Sequence, residues 1–300
     1  MEKRVDRRTF FRRVCAFGGM VAAADLPALA RSKYERINVA YVRIAAGATK
    51  PFTLLHVSDT HLTEAYPHES EKKQQLKKIR TDTFGGEQRQ ALADTLGWAK
   101  EHVDYVVHTG DLIDFQSQAN FDAVRELLGK SMTGCVGNHE WYPNEWLDGP
   151  FTENEDWKDR SRKDVESAFG SGVPFSSWVI NGVNLVFIDD SFSTVTQDQV
   201  ARFKAEVARG LPIILLMHVP IRSPEISASH ADFWGGSRLL GDIRDPVSLG
   251  FVDYLKGERL LKGILAGHLH ITVQERFSST AVQYVVGGNF DRLGEKVVVS

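Results

Sequence analysis

Seven residues of three chemical types recur at one kind of place, the end of an apolar run. LLHVSDTHL closes on Asp59 and His61, and VVHTGDLID closes on Asp111 with Asp114 three residues on. GCVGNHE ends at Asn138-His139-Glu140, ILLMHVP at His218, and ILAGHLH at His268 and His270. Polar groups placed beside a core are costly unless something binds them. Asp59, His61, Asp111, Asn138, His218, His268 and His270 offer oxygen and nitrogen donors without sulfur. That set suits Mn, Fe or Zn in a catalytic rather than a structural site. Seven protein ligands are too many for one ion that keeps an open position, and they suit two ions sharing a bridging carboxylate. The His268-Leu269-His270 pair taken alone has two readings. On extended backbone its side chains project to the same side, with Gly267 allowing a sharp turn before them. Otherwise one histidine is a satisfied core residue and the other is exposed.

The elements that must carry these residues alternate between strand and helix. INVAYVRI (37–44) and FTLLHVSD (52–59) read as strands, followed by a polar, charged insert from Thr63 to Gly86. Residues 87–101 fit a helix with Leu92, Leu96 and Ala99 on one stripe, and 103–111 is a β-branched buried strand. Phe121, Val124, Leu127 and Leu128 mark a helix closed by Gly129, and MTGCVGN is a short strand. A loop-rich stretch follows, holding Trp141, Trp146 and Trp157. Asn181-Gly182 between two strand-like runs signals a hairpin. Thr196 with Gln199 makes a capping box, 212–220 is a buried strand, and Asp245-Pro246 opens a helix through Leu255. GILAG, TVQERF, AVQYVVGG and KVVVS complete the chain. The expected class is α/β with a mixed sheet or two packed sheets, whose carboxyl edge is where ligands sit.

Three hundred residues with 36 basic and 39 acidic side chains give a formal charge of −3, with 42% apolar content. That balance argues against general nucleic-acid or anionic-membrane binding. No run of 18 apolar residues is present, so no spanning helix or stable membrane anchor is expected. Residues 1–30 differ in kind: six Lys/Arg in the first 13 positions, an apolar stretch from Val14 to Ala24, then Ala28-Leu29-Ala30. This is the layout of a secretory signal, and Asp6-Arg7-Arg8-Thr9-Phe10-Phe11-Arg12 resembles the twin-arginine export signal. The expectations are a signal peptide over 1–30, a single domain over 31–300, the twin-arginine export machinery as a partner and a periplasmic location. Cleavage after Ala30 leaves 30 basic and 36 acidic residues, and Cys135 as the sole cysteine, which excludes an intrachain disulfide.

In this order DxH, GDxxD, GNHE, His and GHxH make up the motif series of the calcineurin-like metallophosphoesterases, and residues 52–271 resemble that superfamily. The resemblance implies a four-layer α/β/β/α sandwich, two packed mixed β-sheets flanked by helices. It implies that Asp59, His61 and His270 hold one metal ion, that Asn138, His218 and His268 hold a second, and that Asp111 bridges them. Two such cations clamp a phosphate and make hydroxide available near neutral pH for in-line attack. His139 would donate the proton to the leaving alkoxide, and Asp114 would orient that imidazole.

Several residues near these motifs have plainer readings. His56 and His108 lie inside strands as core or supporting groups, Glu140 supports its loop, and His230 sits in the 221–245 insert. Lys72, Lys73, Lys77, Lys78 and Arg80 form a solvated helix face, unless Arg80 reaches the substrate phosphate. Trp141 and Trp146 either wall the leaving-group pocket or pack a loop. Protein serine/threonine phosphatases continue GDxxD with Arg-Gly and carry Arg two residues past GNHE. This chain has Phe115-Gln116 and Tyr142 there, and looks more like bacterial phosphodiesterases. The expected function is hydrolysis of a small phosphate ester, foremost a phosphodiester. The alternatives are a phosphomonoesterase of acid phosphatase or nucleotidase type, and a scaffold that has kept the fold without catalysis. No GxGxxG or GxxxxGK[ST] follows a strand, so a nucleotide-binding α/β protein lacks support.

Overall fold

The computed structural model describes residues 37–142, 155–170, 172–230 and 237–300. The export expectation over residues 1–30 lies outside them, as does Trp146. Two mixed sheets form the frame. The first has five strands in the order β1 (Asn38–Ile44), β11 (Leu293–Val299), β2 (Phe52–Val57), β3 (Tyr105–Thr109) and β4 (Thr133–Cys135). The second has six, in the order β5 (Phe175–Ile180), β6 (Val183–Ile188), β7 (Ile213–Leu216), β8 (Leu261–Ala266), β10 (Val282–Val285) and β9 (Val273–Arg276).

Strand periodicity explains why the central strands β6 and β7 read as unbroken apolar runs. Along β6 and β7, Leu185, Phe187, Ile214 and Leu216 enter one core with Leu54, Val107 and Val297 of the first sheet. Their neighbours Val186, Ile188, Ile213 and Leu215 enter a second core with Phe203, Phe251 and Leu255 of the outer helices. Side chains at period two therefore meet apolar neighbours on both faces. The helices that supply the outer layer are α5 (Gln197–Ala208) and α7 (Pro246–Gly257). Thr196 and Gln199 form the capping box, and Asp245 caps α7 by accepting from the Ser248 amide. Asn181 and Gly182 both adopt positive φ and close the β5–β6 hairpin, as that two-residue turn requires.

Parallel pairing does the positioning. β2, β3 and β4 run parallel in one sheet, and β6, β7 and β8 run parallel in the other. Their carboxyl ends therefore lie at one edge of each sheet, and the motif-bearing loops leave from those ends.

The remaining helices are α1 (Glu71–Thr83), α2 (Gln88–His102), α3 (Gln118–Leu127), α4 (Glu155–Phe169) and α6 (Pro224–His230). Helix α4 corrects the expected loop-rich stretch: Trp157 stands on this helix, not in a loop. Its apolar signal is carried by few positions, among them the buried Val165 and Ala168, on an otherwise charged helix. No described helix is long and apolar enough to cross a membrane.

Candidate metal centre

Within each sheet, main-chain bonds tie neighbouring loop ends together before any side chain is considered. The Asp59 amide donates to the Gly110 carbonyl (3.0 Å), the His61 amide to Asp111 (2.9 Å), and Gly267 to His218 (3.0 Å). Glu140 is buried, and its carboxylate collects the amides of Gly137 (2.6 Å), Asp111 (2.9 Å) and Ile113 (3.1 Å). Burial and the nearby Asp111 charge push its pKa up to about 7. It supports the loop, the role expected of it.

All seven sequence-derived residues converge. Asp59, His61 and His270 bring one ligand atom each within 4.8 Å of one another, and so do Asp111, His218 and His268. In the first group His61 Nε2 lies 3.0 Å from His270 Nε2, and Asp59 Oδ1 lies 3.3 Å from His270 Nε2. In the second, His218 Nε2 is 3.0 Å from Asn138 Oδ1 and 3.3 Å from His268 Nδ1. Asp111 joins them, its Oδ2 being 3.3 Å from His218 Nε2 and 3.7 Å from His61 Nε2.

The two carboxylates are used alike. Each gives one oxygen to a main-chain amide, Asp59 Oδ2 to His268 and Asp111 Oδ1 to His139, both at 2.9 Å. The other oxygen faces the imidazoles. Asp59 Oδ1 is buried and accepts no hydrogen bond.

Backbone conformation accounts for how DxH and HxH reach this arrangement. Among the described residues, eight non-glycine positions have positive φ, and five are Asp59, His61, Asp111, His268 and His270. Left-handed backbone costs such residues on the order of 1 kcal/mol each and clusters at functional sites. The extended reading of His268-Leu269-His270 is therefore overturned. With φ of +70° and +56° the two imidazoles diverge, His268 to the second group and His270 to the first. Gly267 is required by close approach and not by a turn. A Cβ there would stand 1.8 Å from Ser58 Oγ and 2.5 Å from Asp59 Oδ2.

The donor set fits cations. His61 donates from Nδ1 to Asp114 Oδ1 (2.9 Å) and His218 from Nδ1 to the Thr109 carbonyl (2.7 Å), which turns both Nε2 atoms toward the cluster. Burial lowers the pKa of His61 to about 4 and of His268 to about 3, so both are neutral donors at pH 7. Burial opposes charge on Asp111 as well, yet the surrounding imidazoles, His218 foremost, hold it well below the usual carboxylate range. The counterpart is His218. Burial pushes its pKa down, but Asp111 and Asp59 outweigh that and raise it to about 10. The carboxylates thus demand positive charge where the histidines converge.

His139 and Asp114 lie beside this cluster. His139 Nδ1 donates to the Asp114 carbonyl at 2.8 Å, with Asp114 Oδ1 at 3.2 Å. Although burial opposes it, Asp111 and Asp114 hold the His139 pKa above its ordinary value. Asp114 does more than the sequence indicated, because it also takes His61 and the guanidinium of Arg80, at 2.7 and 3.0 Å. The expectation that Arg80 is either solvated or turned to a phosphate is corrected accordingly. Lys72, Lys77 and Lys78 are exposed on that helix.

Trp141 is fully buried, with the Lys158 ammonium 5.7 Å from its ring, so it packs the loop and walls no pocket. His56 and His108 are buried, bonded to Thr109 Oγ1 and Thr60 Oγ1 respectively, both at 2.9 Å. The side chain of His230 lies outside the described residues. Sequence reasoning missed Asp190, whose Oδ1 accepts the amides of His218 (2.9 Å) and Val219 (3.1 Å). It ends the apolar run VNLVFIDD, the same signal that marked the other sites. Phe84, stacked on His61 at 4.2 Å and 12°, carried no such signal.

A search of curated proteins finds no match. Among solved structures, a dimetal phosphatase from Danio rerio is 13% identical, with a TM-score of 0.47, over 82% of this chain and 91% of the other. A purple acid phosphatase from yellow lupin is 14% identical, with a TM-score of 0.48, over 81% and 45%. The NAD nucleotidase of Haemophilus influenzae is 12% identical, with a TM-score of 0.41, over 80% and 50%. The chain spans about half the length of the latter two. Residues 52–272 match the calcineurin-like phosphoesterase family model, and by that match the chain belongs to the calcineurin-like phosphoesterase family.

Proposed function

We propose that this protein hydrolyses small phosphate esters, phosphodiesters in preference, at a centre built for two metal ions. One observation carries the reading: two buried donor groups share the Asp111 carboxylate, with the His139 imidazole beside them. Asp59, His61 and His270 would hold one ion, Asn138, His218 and His268 the other, with Asp111 between. Such ions, when bound, neutralise charge developing on phosphoryl oxygens and make water a stronger acid. The chain's own groups do the rest. Asp59 and Asp111 are fixed by main-chain amides and need no reorganisation at the moment of reaction. His139, tied through Nδ1 to Asp114, keeps Nε2 for the leaving oxygen and carries the proton that oxygen needs.

The diester preference rests on charge. Among the described residues, the only cationic side chain of Lys or Arg type hydrogen-bonded to this constellation is Arg80, and it is committed to Asp114. A diester brings one negative charge fewer than a monoester dianion and asks for less compensation. Turnover of bis-p-nitrophenyl phosphate against p-nitrophenyl phosphate tests this, after reconstitution with Mn, Fe or Zn singly. Faster monoester cleavage would establish a phosphomonoesterase, and metal uptake without turnover of either would leave a scaffold. Residues 1–30 support export by the twin-arginine route to the periplasm, which Arg7→Lys with Arg8→Lys should block. Continued export of that variant would exclude the route.

A further inference from the structure

Helix α1 buries almost nothing in the ordinary sense. Of its 13 residues five are Lys or Arg, and Leu76 is its one buried side chain. A helix with so small an apolar face is marginal by itself, yet residues at and just past its carboxyl end reach Asp114 and the His61 ring. Arg80 grips both oxygens of Asp114 through Nε and Nη2. Asp114 in turn takes His61 Nδ1 at 2.9 Å. One turn on, just past the helix, Phe84 is buried and lies parallel to the His61 ring at 4.2 Å, while the Arg80 guanidinium sits 4.9 Å above the Phe84 ring. His61 is thus held on a ring face by Phe84 and at its Nδ1 edge by a carboxylate that Arg80 immobilises. Thr81 adds a tether, its hydroxyl 2.7 Å from that of Thr63 in the same loop.

We propose that Arg80 and Phe84 are positioning residues, and that helix α1 acts as a clamp preorganising the His61 side of the centre. The inference rests on the two-ion reading above. Outer groups of this kind orient a ligating imidazole, and their loss costs about 10–100-fold in metal affinity or activity. The fork matters as well as the charge, since a lysine at position 80 can offer Asp114 only a point contact.

The test titrates Mn²⁺ into metal-free protein by calorimetry, for the full chain and for Arg80→Lys, Phe84→Leu and Lys78→Ala. Lys78 is exposed on the same helix and serves as control. Arg80→Lys and Phe84→Leu should each weaken one of two Mn²⁺ binding steps by about tenfold or more. The other step should stay close to wild type, even if the melting temperature falls because Asp114 and Phe84 are buried, and Lys78→Ala should bind as wild type does. Wild-type affinity at both steps in both variants would overturn the clamp, as would equal weakening of both steps together with a lowered melting temperature. If the unaltered protein itself takes up no Mn²⁺, Fe or Zn, the two-ion reading fails and the clamp falls with it, an outcome distinct from the other two.

Discussion

Replacing Gly267 with alanine tests whether the two sheets meet as tightly as the centre requires. The added Cβ would stand 1.8 Å from Ser58 Oγ and 2.5 Å from both Ser58 Cβ and Asp59 Oδ2, where ordinary contact begins at 3.4 Å. Neither neighbour can yield freely. Ser58 is buried and its hydroxyl donates to the Thr109 carbonyl at 3.2 Å, while Asp59 Oδ2 accepts the His268 amide at 2.9 Å. Overpacking costs about 1–3 kcal/mol, and a lost hydrogen bond to a charged group costs about 1.5–3 kcal/mol more. Gly267→Ala should therefore destabilise the metal-free protein by roughly 4 kcal/mol, a fall of about 8–16 °C in melting temperature for a domain of this size. Ser58→Gly removes two of the three close atoms. In a double-mutant cycle read by calorimetry, Ser58→Gly with Gly267→Ala should recover at least about 1 kcal/mol over simple addition. A shift under about 3 °C for Gly267→Ala, or strict additivity in the cycle, would refute the packing argument.

Three further outcomes are expected. Asp111→Asn should abolish turnover of bis-p-nitrophenyl phosphate while far-ultraviolet circular dichroism stays unchanged. The amide keeps the size of the group but removes the charge shared between His61 and His218, so unchanged turnover would exclude the bridging role. His139→Ala should slow alkyl esters, whose leaving groups need a proton, by about 10²–10⁴-fold and activated aryl esters far less. Equal loss on both classes would remove His139 as the acid. Chelation with EDTA should lower the melting temperature by about 10 °C or more, since each ion at a hundredfold excess over its dissociation constant adds about 2.7 kcal/mol. A scan unaffected by chelation would mean that no ion is held in the folded state.

The sequence by itself supplies the candidate donors and their address. Asp59, Asp111, Asn138, His218 and His268 each follow an apolar run, and β-strands buried on both faces have to read that way. Local chemistry was equally legible at the Asn181-Gly182 hairpin and the Thr196–Gln199 capping box, because turns and caps are decided by neighbours in the chain. Helix α4 was not legible, its charged face outweighing the few buried positions. The divergence of His268 and His270 was decided by tertiary structure alone. Left-handed backbone at five candidate ligand positions is unfavourable locally, and it is held by main-chain bonds between the β2 and β3 ends and by the His268 amide donating to the Asp59 carboxylate. The same holds for Arg80 and Phe84. Nothing in a lysine-rich insert indicates that its end grips Asp114 and His61, since Arg80 and Asp114 stand 34 residues apart in the chain, and Phe84 and His61 are likewise distant, meeting only when the fold is assembled.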